Sequence, residues 1–312
     1  MSDNLEAQAL LPTVAELNRR RLFQRAGAGL AGVAAMSALS TGGMMLGSQS
    51  ASAATITTPD IDGDIFNFAL NLEYLEAEFY LRAIGQTLAG NMLVTGTGTQ
   101  GTVTGGSAVP FQSAAIQQYA QRIAVDELSH VRFIRTVLGT GAVAEPTINL
   151  STSFTVLAQA AGLITSGQTF NPFADEISFL LGASIFEDVG VTAYAGAARY
   201  ITNPDYLEAA AGILAVEAYH SGSIRTLLAD IGAGVAFDAI SDLRGALSAQ
   251  IVPGGEAEQR MLIPGNDYNF VANDSNGLAF RRTTAQVLNI VYGGGAASGY
   301  LFFPNKLNGA IA

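Results

Sequence analysis

The chain has 312 residues, of which 49% are hydrophobic, and its formal net charge is −11. A chain of this length and composition can bury a full core, and its acidic balance argues against nucleic acid as a partner. The absence of cysteine excludes disulfides, thiolate metal sites, iron–sulfur clusters and thiol catalysis, so any bound metal must be held by oxygen and imidazole ligands.

Residues 1–53 have the pattern of an export signal. Arg20 and Arg21 precede two apolar residues, an uncharged stretch follows over residues 26–46, and Ala53 ends a small-residue cleavage site. The paired arginines resemble the twin-arginine consensus. We therefore expect the mature chain to begin after Ala53 and to act in the periplasm or cell envelope of a bacterium, with membrane contact only during export. The alternative is an uncleaved membrane anchor.

Helical spacing of apolar residues predicts the first two long helices. The first covers residues 64–84, with aspartates ahead of it as caps and Gly85 after it. A loop rich in Gly and Thr leads to the second, which covers residues 112–138 and ends before Gly139.

The next connection, residues 140–172, is long enough to cross from one end of a bundle to the other, and we expect a short helix over residues 154–163. A third long helix covers residues 173–200. The fourth begins after Asn203, as cap, with Pro204 at its first position.

The remaining chain is less regular. We expect two further helices, over residues 235–250 and 279–293. Loops rich in Gly separate and follow them. Alone, these residues would bury little apolar surface. The sequence therefore predicts an all-α protein in which residues 54–231 form a four-helix bundle and residues 232–312 form an extension packed on it.

Both histidines of the protein follow a glutamate by three residues. Glu127 precedes His130 on the second helix, and Glu217 precedes His220 on the fourth. This spacing places each pair on one helix face. A single such pair is explained by a buried histidine bonded to a carboxylate, whereas the repetition indicates a shared site.

The two other long helices carry further acidic residues. The first contains Glu73, Glu76 and Glu78, and the third contains Glu187. Glu73 and Glu76 share a face, whereas Glu78 points away. We interpret Glu76 as a residue next to the site or on the surface, not as a ligand.

A tyrosine follows one glutamate on each of these helices by seven residues. Tyr80 follows Glu73, and Tyr194 follows Glu187. The two halves of the chain therefore read as a pseudo-repeat, although each tyrosine can also be an ordinary core aromatic.

Four carboxylates in one bundle core would repel each other and resist ionisation. Two divalent cations remove that problem, and a set of four carboxylates and two imidazoles suits iron or manganese better than zinc. The predicted ligands are Glu73, Glu127, His130, Glu187, Glu217 and His220.

With these motifs, residues 60–231 resemble the ferritin-like superfamily, in which a long crossover joins the second and third helices of the bundle. The resemblance implies that Glu127 and Glu217 bridge two metals, that Glu73 and His130 complete one site, and that Glu187 and His220 complete the other. It also implies that Tyr80 and Tyr194 take part in the chemistry. The export signal and the tail resemble an exported, stress-associated branch akin to desiccation-related proteins.

Three functions follow from this resemblance as expectations. The first is a di-iron oxidoreductase that reacts with Fe(II) and oxygen or hydrogen peroxide, as a ferroxidase or detoxifying enzyme. The second is a dimanganese catalase-like enzyme. The third is a non-enzymatic envelope or desiccation-protective protein in which the metals only stabilise the helix bundle. A homo-oligomer is possible, but the long tail departs from the ferritins that form hollow shells.

Overall fold

The computed structural model describes residues 61–253, 259–263 and 267–312. The predicted export signal, residues 1–53, lies outside the described residues. Helices dominate the described chain, and the expectation of an all-α, ferritin-like fold is confirmed.

The first two bundle helices are α1 (Asp62–Ala83) and α2 (Ala114–Leu138), which pack against each other. The Ser113 side chain caps α2 by accepting a hydrogen bond from the Ile116 N–H. Gly139 follows α2 with a φ of 56°, a left-handed value that favours glycine. Helix α1 is buried on nearly all sides, so it is the central helix of the bundle.

The second pair of bundle helices is α4 (Glu176–Ala197) and α5 (Pro204–Asp230). Asp175 caps α4, which begins three residues later than the sequence predicts. Asn203 caps α5 with Pro204 at its start, as the sequence predicts. The stretch Glu176–Tyr200 is apolar and long enough to cross a membrane, but 83% of its most apolar window is buried inside the protein. Its composition is therefore that of a core helix.

The connection between α2 and α4 contains the short helix α3 (Thr152–Ala160) and a strand. This strand, β2 (Ile148–Leu150), pairs in parallel with β1 (Val103–Gly105), with Val103 opposite Ile148. The sequence analysis predicts the short helix, over residues 154–163, but neither of the two strands. Strands of three residues are too short to show a period, and their pairing is decided by contacts distant in sequence.

The tail contains α6 (Gly234–Ile251), the antiparallel strands β3 (Leu262–Ile263) and β4 (Asp267–Tyr268), and α7 (Thr284–Val291). Phe302 follows α7 and is fully buried. Its ring centroid lies 5.1 Å from that of Phe154 on α3 and 5.1 Å from that of Phe186 on α4. The end of the chain thus completes the aromatic core between the crossover and the bundle.

Asp62 does not occupy the cap position of α1, as the sequence analysis expects of the aspartates ahead of this helix; Asp60 lies outside the described residues. The cap position is Ile61, which has no side-chain hydrogen bond to the helix. The Asp62 carboxylate instead accepts hydrogen bonds from the N–H groups of Thr202 and Asn203, 2.9 and 2.8 Å away. It therefore stabilises the turn before α5, a distant contact that local spacing does not reveal.

A buried ion cluster joins the tail to the bundle. Asp188 on α4, 5% exposed, accepts hydrogen bonds from Arg225 on α5 and Arg244 on α6 at 2.7 and 2.6 Å. Although burial opposes ionisation, the two guanidinium groups hold the pKa of Asp188 well below its usual range. One carboxylate thus links three helices.

We predict that Asp188→Asn lowers the free energy of unfolding by about 3–5 kcal/mol, because it leaves two buried guanidinium groups without their anion. Urea denaturation at pH 7 measures this change. Asp242→Asn is the matched control, since Asp242 pairs with Arg260 at the surface, where solvent screens the pair and its loss changes stability little. Equal losses in the two variants would contradict the prediction.

Candidate metal centre

Four carboxylates converge in the middle of the bundle, one from each long helix. Each is 0% exposed: Glu73 on α1, Glu127 on α2, Glu187 on α4 and Glu217 on α5. The two imidazoles join them from α2 and α5, with His130 8% and His220 6% exposed. The structure therefore brings together all six residues that the sequence predicts as ligands.

These residues form two overlapping groups whose possible ligand atoms lie within 4.8 Å of one another. Both groups contain Glu127 and Glu217. The first group is Glu73, Glu127, His130 and Glu217; the second is Glu127, Glu187, Glu217 and His220. The same two glutamates that the resemblance makes bridging ligands are thus the shared ones, and their role as bridges stays a prediction.

Each imidazole directs its Nδ1 atom at carboxylate oxygens. His130 Nδ1 lies 3.2 Å from Glu73 Oε2 and 3.3 Å from Glu127 Oε2. His220 Nδ1 lies 3.0 Å from Glu127 Oε1 and 3.2 Å from Glu187 Oε2. Ligands at about 2.1 Å from one octahedral cation are themselves about 3 Å apart, so these separations suit atoms that share a metal.

Several of these atoms are buried and, although some lie close to one another, none of them makes a hydrogen bond of suitable geometry. A buried polar atom without a partner costs free energy, and a cluster of them indicates a missing ion. They are Glu127 Oε1, Glu187 Oε2, both carboxylate oxygens of Glu217, and His220 Nδ1. Because oxygen and imidazole donors bind divalent iron and manganese well, the residues present fit a pair of such ions.

Protonation in the metal-free cluster reflects the same crowding. Burial raises the pKa of Glu73 to about 7 against the opposing effect of His130, and burial with the Glu127 charge raises the pKa of Glu217 well above its usual range. Burial opposes ionisation of Glu127 too, but the two imidazoles hold its pKa far below the usual range. The cluster therefore does not carry all its negative charges unless cations are present.

The tyrosines cross between the two halves of the bundle. Tyr80 on α1 donates a hydrogen bond to Glu187 Oε1 on α4, and Tyr194 on α4 donates one to Glu73 Oε1 on α1. Each tyrosine thus holds the glutamate of the opposite helix, not the one seven residues before it. Their predicted part in the chemistry stays a prediction.

Asp126 is a residue of the site that the sequence analysis did not single out. His220 Nε2 lies 3.3 Å from Asp126 Oδ2, so the carboxylate orients the imidazole while Nδ1 faces the cluster. The available signal was its place directly before Glu127, which turns it toward the neighbouring helix α5.

The two remaining glutamates of α1 are buried and lie outside the two groups of predicted ligands. Glu76 is 4% exposed, so it is not a surface residue; it lies in neither four-residue group, and burial together with the Glu217 charge raises its pKa well above the usual range. Glu78 lies outside both groups but is 1% exposed; it pairs with Arg82 and accepts a hydrogen bond from the Leu88 N–H.

Gly190 on α4 allows the close approach of these carboxylates. A Cβ atom at this position would lie 2.3 Å from Glu217 Oε2 and 3.3 Å from Glu76 Oε1. Any larger residue would therefore displace Glu217 from the cluster.

Comparison with known proteins gives results that agree with this geometry. The family model for the ferritin-like domain matches residues 61–230. The chain is 32% identical over 247 residues to the desiccation-related protein PCC13-62 of Craterostigma plantagineum, a match covering 74% of this chain and 77% of that protein. It is 30% identical over 272 residues to the ferritin-like catalase Nec2 of Nesocodon mauritianus, covering 81% and 85%.

No solved structure matches the chain significantly. The family model nevertheless spans all four bundle helices, and the curated relatives are similar along most of their own length. The chain therefore belongs to the ferritin-like domain family.

Proposed function

We propose that the cluster binds two iron ions, with manganese as the alternative, and that the loaded protein decomposes hydrogen peroxide. The observation that carries this proposal is the pair of buried four-residue groups that share Glu127 and Glu217. The similarity to a protein named as a ferritin-like catalase supports it.

The proposed reaction balances between two peroxide molecules. One is oxidised to dioxygen and releases two protons and two electrons, and the other takes up two protons and two electrons to become two waters. A pair of redox-active ions, when bound, supplies the place where the two electrons are held between these halves. The protein must bind the ions, admit peroxide, and keep protons within reach.

The chain's own residues provide these elements. His130 and His220 are the two predicted ligands that reach solvent, so peroxide has a polar approach between α2 and α5. Burial, with the Glu217 charge, raises the pKa of the Glu76 carboxyl well above its usual range, which favours its protonated form beside Glu217. Tyr80 and Tyr194 hold the carboxylates of Glu187 and Glu73, respectively, by hydrogen bonds.

Oxidation of Fe(II) by dioxygen or peroxide is the second candidate. The same oxygen-rich donor set accepts Fe(II), and the phenols of Tyr80 and Tyr194 contact the cluster as possible one-electron donors. Under either reaction we place the protein outside the cytoplasm, in protection against oxidative or desiccation stress. The twin-arginine pattern and the similarity to a desiccation-related protein support that placement.

Loss of each imidazole should lower the metal content. We predict that His130→Ala and His220→Ala each retain about one of about two metal ions per chain, and that the double variant retains almost none. Elemental analysis of the purified, folded proteins measures this. Tyr219→Ala is the control, because Tyr219 adjoins His220 on α5 but is 75% exposed. A folded double variant that still carries both ions would contradict the assignment.

Loaded protein should evolve one dioxygen for each two peroxide molecules consumed. Protein samples reconstituted with iron, manganese or zinc are compared. An oxygen electrode measures the dioxygen released, and a peroxide assay measures the peroxide consumed. Turnover with iron or manganese but not zinc, a metal without redox chemistry, is the expected result. Fe(II) consumption without dioxygen release would select the ferroxidase reaction instead. If all three metals stabilise the protein equally and none gives turnover, the metals have a structural role only.

The pH dependence of stability should have opposite signs without and with metal. Because burial and Glu127 raise the folded pKa of Glu217 above its unfolded value, ionisation of Glu217 opposes folding, and the metal-free protein loses stability as pH rises from about 4. Metal ions bind the deprotonated ligands, so protons compete with them and acid weakens metal binding. We predict that metal raises the melting temperature strongly at pH 7 and little at pH 4.

The substitution Glu217→Gln tests the same linkage at one residue. It should stabilise the metal-free protein at pH 7, because it removes a carboxyl group whose ionisation burial opposes, and should weaken the metal-bound form. Differential scanning calorimetry of both forms measures this. Equal destabilisation of both would indicate that Glu217 and its imidazole neighbour His130 are an ordinary buried pair.

A further inference from the structure

The candidate centre has different surroundings on its two sides. Toward α2 and α5, the predicted ligands His130 and His220 retain 8% and 6% exposure, and Asp126 lies beside His220. Toward α7 and the tail, its neighbours are apolar except for Glu76. A polar and an apolar small molecule would therefore approach it from different sides.

A small cavity lies on the apolar side, and we call it the inner cavity. Its volume is about 10 Å³, and Glu76 is the one charged residue in its lining. Gly190 lines it as well, and a Cβ atom there would contact both Glu217 and Glu76. The inner cavity thus borders the cluster where α4 has no side chain to separate them.

A second cavity, the outer cavity, lies between α3, α4, α6 and α7. Its volume is about 20 Å³, and its lining is apolar apart from Arg244. Ile185 and Ile290 line both cavities, so these two side chains lie where the cavities adjoin. At the other end, Ala161 and Phe170 line the outer cavity and are half-buried, which brings it close to the surface.

The size and the chemistry of these cavities favour a small apolar guest. Each has room for about one or two water-sized molecules, since a probe sphere occupies about 10–15 Å³. Water and hydrogen peroxide need two or more polar partners in a cavity, whereas each of these walls contains one polar side chain, Glu76 or Arg244. Apolar cavities stay dry and admit apolar atoms such as xenon. Dioxygen is an apolar molecule of suitable size.

We propose that the outer and inner cavities form a passage for dioxygen between the centre and the surface, gated by Ile185 and Ile290. The proposal rests on the proposed function, in which dioxygen is a product of peroxide decomposition or the oxidant of Fe(II). Peroxide uses the histidine side. Peroxide and dioxygen thus use different sides of the centre, because one is polar and the other apolar.

Xenon binding tests the passage independently of turnover. Crystals of the full chain under xenon pressure should show xenon in both cavities. Ile290→Phe should exclude it from the inner cavity, while the volume-conserving Ile290→Leu should retain it. Ile290 lies on α7, a helix that carries none of the predicted ligands. A wild-type protein without xenon in the inner cavity would overturn the proposal.

Kinetics then test whether dioxygen uses these cavities. Reduced, iron-loaded protein is mixed with dioxygen or with peroxide in a stopped-flow instrument. Ile290→Phe should slow oxidation by dioxygen about tenfold and change oxidation by peroxide by less than about twofold. Ile290→Leu should match the wild type.

A variant at the outer end guards against a folding defect in Ile290→Phe. Ala161→Leu adds bulk at the half-buried end of the outer cavity, where the added side chain can also turn toward solvent. It should slow the dioxygen reaction selectively as well. Dioxygen rates unchanged in both variants, or equal slowing with both oxidants, would overturn the passage. Absence of peroxide turnover in loaded wild type would contradict the proposed function alone, because the xenon result does not depend on it.

Discussion

The mutual repulsion of buried carboxylates is the constraint on which the rest of this structure depends. Glu73, Glu127, Glu187 and Glu217 come from four helices to one point that solvent does not reach. Such a group is stable only if protons or cations neutralise it, and the buried atoms without hydrogen-bond partners indicate where cations would be held. The bundle is therefore built around an electrostatic problem that metal binding resolves.

The surrounding structure holds these groups in place from several directions. Tyr80 and Tyr194 tie the carboxylates of α1 and α4 to each other's helix, and Asp126 orients His220. Behind α4, Asp188 joins the bundle to α6 through two buried arginines. The tail then covers the bundle with apolar side chains such as Phe302. It therefore forms the apolar side of the centre, which a bundle of four helices alone would leave exposed.

Much of the fold and of the site could be predicted from local spacing. The repeated interval between glutamate and histidine identified Glu127, His130, Glu217 and His220, because side chains three apart share a helix face. Apolar periodicity located the long helices to within a few residues. Charge chemistry then required the further carboxylates, since one histidine and one glutamate from each of two helices do not complete two metal sites.

The remaining features depend on contacts between distant segments, which spacing does not encode. The sequence alone determined the composition of the candidate site and the order of the helices, because both follow from periods of three to four residues. Only the tertiary structure decided that each tyrosine donates a hydrogen bond to the glutamate of the opposite helix and that Asp62 stabilises the turn before α5. It also decided that Glu76 is buried and that β1 pairs with β2. Those outcomes depend on how helices and loops meet in space, and that arrangement is set by the packing of the whole core.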